Sequence, residues 1–100
     1  MKKTTRKTAA AACKAEAATA IRFADSAIRK AAEGLTTAAW SLADTARTAA
    51  TCAMQAHEEL WDLAVGQLTA SELEAFEAAE IAVRKADEAA RAAAASVARR

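Results

Sequence analysis

Two glycines, Gly34 and Gly66, are the only strong punctuation in this chain of 100 residues, which has no proline at all. They divide it almost into thirds. Each follows a helix-like run and precedes a helix-start signal, the placement expected of a left-handed C-terminal cap. After Gly34 come Leu35, Thr36 and Thr37. After Gly66 comes Thr69-Ala70-Ser71-Glu72, a capping box with threonine at the cap and glutamate three residues on. Leu68 before that cap and Leu73 after it stand where a hydrophobic staple belongs.

Between the stops, 34 of the 100 residues are alanine. Alanine loses no side-chain entropy in a helix and has the highest helix propensity, and the absence of proline leaves every backbone donor in place. The expected fold is all-α: an antiparallel three-helix bundle with helices over about 5–33, 37–65 and 70–98. Each helix would be about 43 Å long at 1.5 Å per residue. Short connections make neighbouring helices antiparallel. The chain reads as one domain, with residues 1–4 as a flexible basic tail.

Heptads support the reading. In the first helix Ile21, Ile28 and Leu35 recur every seven residues, with Ala10, Ala17, Ala24 and Ala31 as the second series. In the third, Phe76, Val83, Ala90 and Val97 alternate with Ala79, Ala86 and Ala93. The second carries a longer seam: Ala39, Leu42, Ala46, Ala49, Ala53, Ala56, Leu60, Leu63. Larger residues at one seam position and alanine at the other allow close approach of the backbones. The segments Ala27–Glu33 and Ala82–Glu88 echo one another in the same heptad phase, as convergent amphipathic patterning would produce. Leu, Ile, Val and Phe together number only 14, and alanine buries little area at about 25 cal/mol per Å². A core this thin makes a homodimer an expectation.

Charge is polarised along the chain. Residues 1–47 hold nine Lys/Arg and four Asp/Glu, whereas residues 48–83 hold seven acids (Glu58, Glu59, Asp62, Glu72, Glu74, Glu77, Glu80) and no base. In an up-down-up bundle the basic run Lys2, Lys3, Arg6, Lys7 shares a pole with the acidic cluster. Glu58, Glu59 and Asp62 oppose the dipole of their helix. Either the two clusters neutralise each other, or the acidic pole is a docking surface. With a net charge of +1 and basic residues confined to the two ends (Lys2, Lys3, Arg6, Lys7; Arg99, Arg100), nucleic-acid binding is weakly supported. An acidic pole can instead imitate nucleic acid toward a basic partner.

No catalytic constellation emerges. His57 is the sole histidine. A zinc-protease helix needs a second histidine where Trp61 stands, and a di-iron motif needs glutamate where Met54 stands. Cys13 falls at about the height of His57, but two ligands without an oxyanion hole make neither a nucleophilic site nor a metal site. No cofactor is implied. The two cysteines, Cys13 and Cys52, read as reduced thiols of a cytoplasmic protein. Four alanines and a cysteine before Lys14 are too short for a signal-peptide core, and no run reaches transmembrane length. Threonines eleven residues apart (Thr8, Thr19; Thr37, Thr48) hint at an ice-binding repeat, but Lys30 and Glu59 break both series.

What remains is surface. Trp40, Met54 and Trp61 fall on one stripe of the second helix, with Arg47 and His57 beside them. Aromatics, Met and Arg are the residue types enriched at interface centres. The stripe is either packed into a groove of the bundle or is a partner face. The expected function is non-enzymatic: a small helical interaction protein that binds a larger macromolecular partner, a protein above all. Its specific form would be a phage- or mobile-element-encoded inhibitor of a bacterial defence complex. The alternatives are a homo-oligomeric adaptor or scaffold, and a nucleic-acid-associated protein using the basic ends. The candidate contact residues are Trp40, Arg47, Met54, His57, Trp61, Glu58, Glu59 and Asp62.

Overall fold

The computed structural model describes residues 5–98; Lys2, Lys3, Arg99, Arg100 and the expected tail 1–4 lie outside them. The described chain is three helices, α1 (Arg6–Ala32), α2 (Thr36–Ala64) and α3 (Ala70–Ala98), each packed on the other two in an antiparallel three-helix bundle 49 Å along its longest axis. Every helix boundary falls within a residue of its expected place.

Local chemistry explains the ends. Thr5 caps α1 in a capping box made with a second threonine: Thr8 N–H donates to Thr5 Oγ1 at 3.2 Å, and Thr5 N–H donates to Thr8 Oγ1 at 2.9 Å. Gly34, at φ 79°, closes α1 in a complete Schellman motif. Its N–H donates to Ala31 O at 3.0 Å and the Leu35 N–H donates to Lys30 O at 2.9 Å. The Thr69 box opens α3, with Glu72 N–H donating to Thr69 Oγ1 (3.2 Å) and Thr69 N–H donating to Glu72 Oε1 (2.9 Å). Of the two staple residues, Leu68 packs toward the core while Leu73 stays exposed. The end of α2 departs from expectation. Its left-handed cap is Val65 (φ 52°, ψ 42°), and Gly66 follows in the same region at φ 76°.

The core is an alanine seam. Among the described residues 22 hydrophobic side chains are buried, and all but Cys13 and Leu60 are alanine. This corrects the heptad reading by one residue in two helices. In α1 the buried series are Ala17, Ala24, Ala31 and Cys13, Ala20, Ala27; Ile21 and Ile28 stand one position later, half-buried. In α3 the buried series are Glu72, Ala79, Ala86, Ala93 and Ala75, Ala82, Ala89, Ser96. Phe76 and Val83 flank them half-buried, and Val97 is exposed, as is Leu35 beyond α1. The cause is steric. Alanine at both seam positions favours close approach of the backbones, and isoleucine or phenylalanine between them would hold the helices apart. The larger side chains turn outward and cover the grooves instead. In α2 the expected seam holds at Ala39, Ala46, Ala49, Ala53, Ala56 and Leu60, while Ala43 and Ala64 replace Leu42 and Leu63 as the buried residues at the two ends.

Candidate interaction surface

The pole shared by the start of α1, the end of α2 and the start of α3 is where charge and exposed apolar surface meet. Arg6 organises it. Its Nε donates to Glu72 Oε2 at 2.9 Å, its Nη2 donates to Glu72 Oε1, and the same Nη2 donates to the carbonyl of Gln67 at 2.9 Å. One guanidinium thus ties α1 to the α2–α3 turn and to the capping glutamate of α3. The Arg6 hydrogen bonds, joined by the Thr69 backbone, pull the Glu72 carboxyl down from its ordinary 4.5 to about 2. Hydrogen bonding to Glu72 likewise raises the Arg6 guanidinium above its ordinary value. Lys14 lies 3.6 Å from Glu74. Of the acidic cluster, Glu72 pairs with Arg6 of the N-terminal basic run, and Glu74 pairs with Lys14, outside that run. Among the described residues Glu58, Glu59, Asp62 and Glu77 have no ion-pair partner. Lys7 lines an open groove between α1 and α3 with Lys14 and Ser71, and it forms no ion pair with another described residue. The last turn of α2 contains no basic residue, so the negative end of its dipole adds to the carboxylates there.

Four large apolar side chains emerge at the same pole: Trp61 (49 % exposed), Leu63 (40 %), Val65 (85 %) and Leu73 (47 %). Trp61 leans over the turn, within van der Waals reach of where a side chain on Gly66 would stand. It also packs against Phe76 with ring centroids 5.7 Å apart. His57 stacks on that phenylalanine at 3.5 Å and 24° between planes. Its Nδ1 is buried without a hydrogen-bond partner among the described residues.

The stripe of α2 is neither core nor free surface. Trp40 is 39 % exposed, Met54 is half-buried and Arg47 is exposed. Arg47 and Met54 line the groove between α2 and α3, Met54 with Val83 and Arg84, and Arg47 with Ala86 and Asp87. Trp61 packs on Phe76 of α3 farther along the same pair of helices, and Glu58, Glu59 and Asp62 are exposed in the last turns of α2.

Cys13 and His57 are occupied separately. The buried Cys13 thiol donates to the Ala75 carbonyl at 3.1 Å, and burial pushes its pKa up, away from thiolate character. Cys52 is an exposed free thiol. Among the described residues no three His, Cys, Asp or Glu side chains gather where they could hold a metal ion, and no helix is long and apolar enough to cross a membrane. Sequence reasoning missed Phe76 as the partner of His57, the Arg6–Glu72 clamp, and the exposure of Val65, Leu63 and Leu73. The clamp had a legible signal, since the starts of α1 and α3 share a pole in any up-down-up bundle. No protein-family model matches the chain, and neither the curated proteins nor the solved structures provide a match.

Proposed function

We propose that this chain is a non-enzymatic interaction protein that docks the acidic, apolar pole of its bundle onto a basic, apolar surface of a larger protein. The observation that carries the reading is Val65. A β-branched residue at φ 52° is costly to the fold, and at 85 % exposure its side chain returns almost nothing in burial. Trp61, Leu63 and Leu73 are exposed at the same pole, where Glu58, Glu59, Asp62 and Glu77 have no ion-pair partner among the described residues. Exposed apolar anchors with carboxylates at the same end suit a protein interface, in which the anchors hold the complex and the carboxylates steer encounter.

A surface that is both basic and apolar belongs to proteins that grip nucleic acid. The proposed action is occupancy of such a surface, excluding the nucleic acid. In its specific form the chain is an inhibitor, encoded by a phage or mobile element, of a bacterial defence nuclease in a reducing cytoplasm.

The test is capture from a bacterial lysate on immobilised protein, followed by displacement with a DNA oligonucleotide. Retained proteins that DNA releases, and that a folded Val65→Asn, Asp62→Lys, Glu59→Lys variant fails to retain, support the reading. Retention that is indifferent to both DNA and those substitutions refutes it.

A further inference from the structure

The two helix stops share a sequence pattern but not a conformation. Glu33-Gly34 follows α1 and Val65-Gly66 follows α2. At the first stop Glu33 stays right-handed (φ −81°, ψ −2°) and Gly34 alone turns left-handed. At the second, Val65 turns left-handed before Gly66 does, and the Gln67 N–H donates to Ala64 O at 3.0 Å. Two central residues at positive φ make this a turn of the type I′ pattern, whose first central residue is ordinarily asparagine, aspartate or glycine. A β-branched residue is a poor choice there. The residue types favour the other arrangement, with Val65 right-handed and Gly66 the lone left-handed cap, as Glu33 and Gly34 display it.

Link length does not impose the difference. Five residues (65–69) join α2 to α3, against three (33–35) between α1 and α2, so the second link has slack. The two links differ in what holds them. The N–H groups of Glu33, Gly34 and Leu35 all donate to carbonyls of α1, the helix that they end. The second link is held from a different helix. Arg6 of α1 donates from Nη2 to the Gln67 carbonyl at 2.9 Å, and the same guanidinium grips Glu72. Glu72 in turn accepts from the Thr69 N–H at 2.9 Å. The chain is thus tied to α2 through Ala64 and to Arg6 and α3 through Gln67 and Thr69, and Val65 and Gly66 must close the turn between those ties.

We infer that Arg6 is a latch on a two-state turn. Its grip on the Gln67 carbonyl and Glu72 holds the α2–α3 turn in the type I′ conformation. With the grip released, the turn relaxes to the Gly34 pattern: Val65 becomes right-handed, α2 gains a residue, and Gly66 alone caps it. The bidentate fork of an arginine is suited to this, because one planar group donates to a carboxylate and a carbonyl at once. Relaxation re-aims Val65 and changes the shape of the pole, so Arg6 acts as a positioning residue for docking without touching the partner. That consequence rests on the docking reading above, whereas the conformation of the turn does not.

Nuclear magnetic resonance of the full chain tests the inference, because a positive φ brings a residue's own amide and α protons together and gives a strong Overhauser cross-peak between them. Val65 should show that cross-peak in the native chain. In Arg6→Met, which keeps a stem but no donor, it should weaken to the level of a helical residue. Thr36→Val, a destabilising change at the opposite end of the bundle, should leave it strong. Urea midpoints give a second readout. In a Val65→Asn chain the turn has no strain to relieve, so Arg6→Met should lower the folding constant by about tenfold more there than in the native chain, the scale set by the left-handed cost of an L-residue. Circular dichroism verifies that each variant keeps its helices, and the Val65→Asn chain supplies a stabilised background. A Val65 that is right-handed in the native chain overturns the inference. So does one that stays left-handed in Arg6→Met, the result expected if Trp61, whose ring lies over Gly66, holds the turn instead. Relaxation in Thr36→Val, or equal losses in the two backgrounds, overturns it as well. No partner enters these measurements, so failure here leaves the lysate test intact.

Discussion

Replacing Val65 with asparagine is expected to raise the stability of the protein, although it removes an apolar side chain. The left-handed region costs an ordinary L-residue about 1–2 kcal/mol, and a β-branched side chain sits at the upper end of that range. Asparagine tolerates the region because its short amide bonds locally to the backbone. Against this gain stands the burial lost with the valine. With 85 % of Val65 in solvent, the contact area removed is small and worth about half a kcal/mol at 25 cal/mol per Å². The net is about +1 kcal/mol, or roughly 4–8 °C in Tm for a domain of this size. Two controls bracket it. Val65→Gly relieves the same strain but adds about 0.5–1 kcal/mol of backbone entropy to the unfolded chain, so it should gain less than asparagine. Val65→Ala keeps a Cβ in the left-handed region and should change little. Urea denaturation followed by circular dichroism reads all three as midpoint shifts at constant slope. An asparagine variant no more stable than the alanine variant would show that Val65 carries no strain, and the main support for the docking pole would go with it. If the pole is used as proposed, the stabilised variant binds its partner more weakly, a trade of stability against function at one residue.

Three further outcomes can be measured with the same apparatus. Leu60 is the largest fully buried side chain, so Leu60→Ala should cost about 2–5 kcal/mol, since the close-packed seam around it has little freedom to collapse into the space. Thr36 Oγ1 and Ser96 Oγ lie 2.7 Å apart and buried; Thr36→Val alone should cost about 1–3 kcal/mol by stranding the serine hydroxyl, and Thr36→Val with Ser96→Ala should recover much of that loss. The Glu72 carboxyl is held at about 2 against an ordinary 4.5, mainly by Arg6. Its contribution to stability is therefore complete above about pH 4.5 and fades as pH falls toward 2. A pH series of denaturation midpoints should show that acid-side loss in the native chain, and Glu72→Gln should flatten it. An unchanged slope in the variant would mean that other carboxylates govern acid unfolding.

The helix count and boundaries were legible because their determinants are local. Thr69 with Glu72, and Gly34 with its Schellman bonds, act within six residues of chain. The phase of the seam was not legible, because heptad reading ranks positions by side-chain size. That rule assumes that the largest apolar residues fill the interior. Here a complete alanine face competes one residue away, and closer backbone approach favours it, so Ile21, Ile28, Phe76 and Val83 cover the grooves. Gly66 is the residue whose type signals a left-handed cap, yet the chain turns left-handed one residue earlier, at Val65. Nothing in the residue type of valine signals that conformation. For the candidate surface, periodicity puts Trp40, Arg47, Met54 and Trp61 on one stripe of α2. That Arg47 and Met54 line the α2–α3 groove and Trp61 packs on Phe76 depended on which neighbour α2 turns toward, a tertiary choice. The stack of His57 on Phe76 depended on the same choice.

An alanine seam has a mechanical property that a leucine seam lacks. Leucine knobs seat in particular holes and index one helix against the next; alanines are nearly uniform along the axis, so helices joined by them can slip lengthwise by a heptad at little cost in packing. This bundle is indexed by polar contacts at its ends. The Thr36–Ser96 hydroxyl pair fixes α2 against α3 near the Gly34 turn. At the other end Arg6, gripping Glu72 and the Gln67 carbonyl, fixes α1 against both the turn and α3. A helix displaced by one heptad would leave buried hydroxyls or a buried carboxylate without partners, so a few hydrogen bonds select the register that the apolar interior leaves undecided.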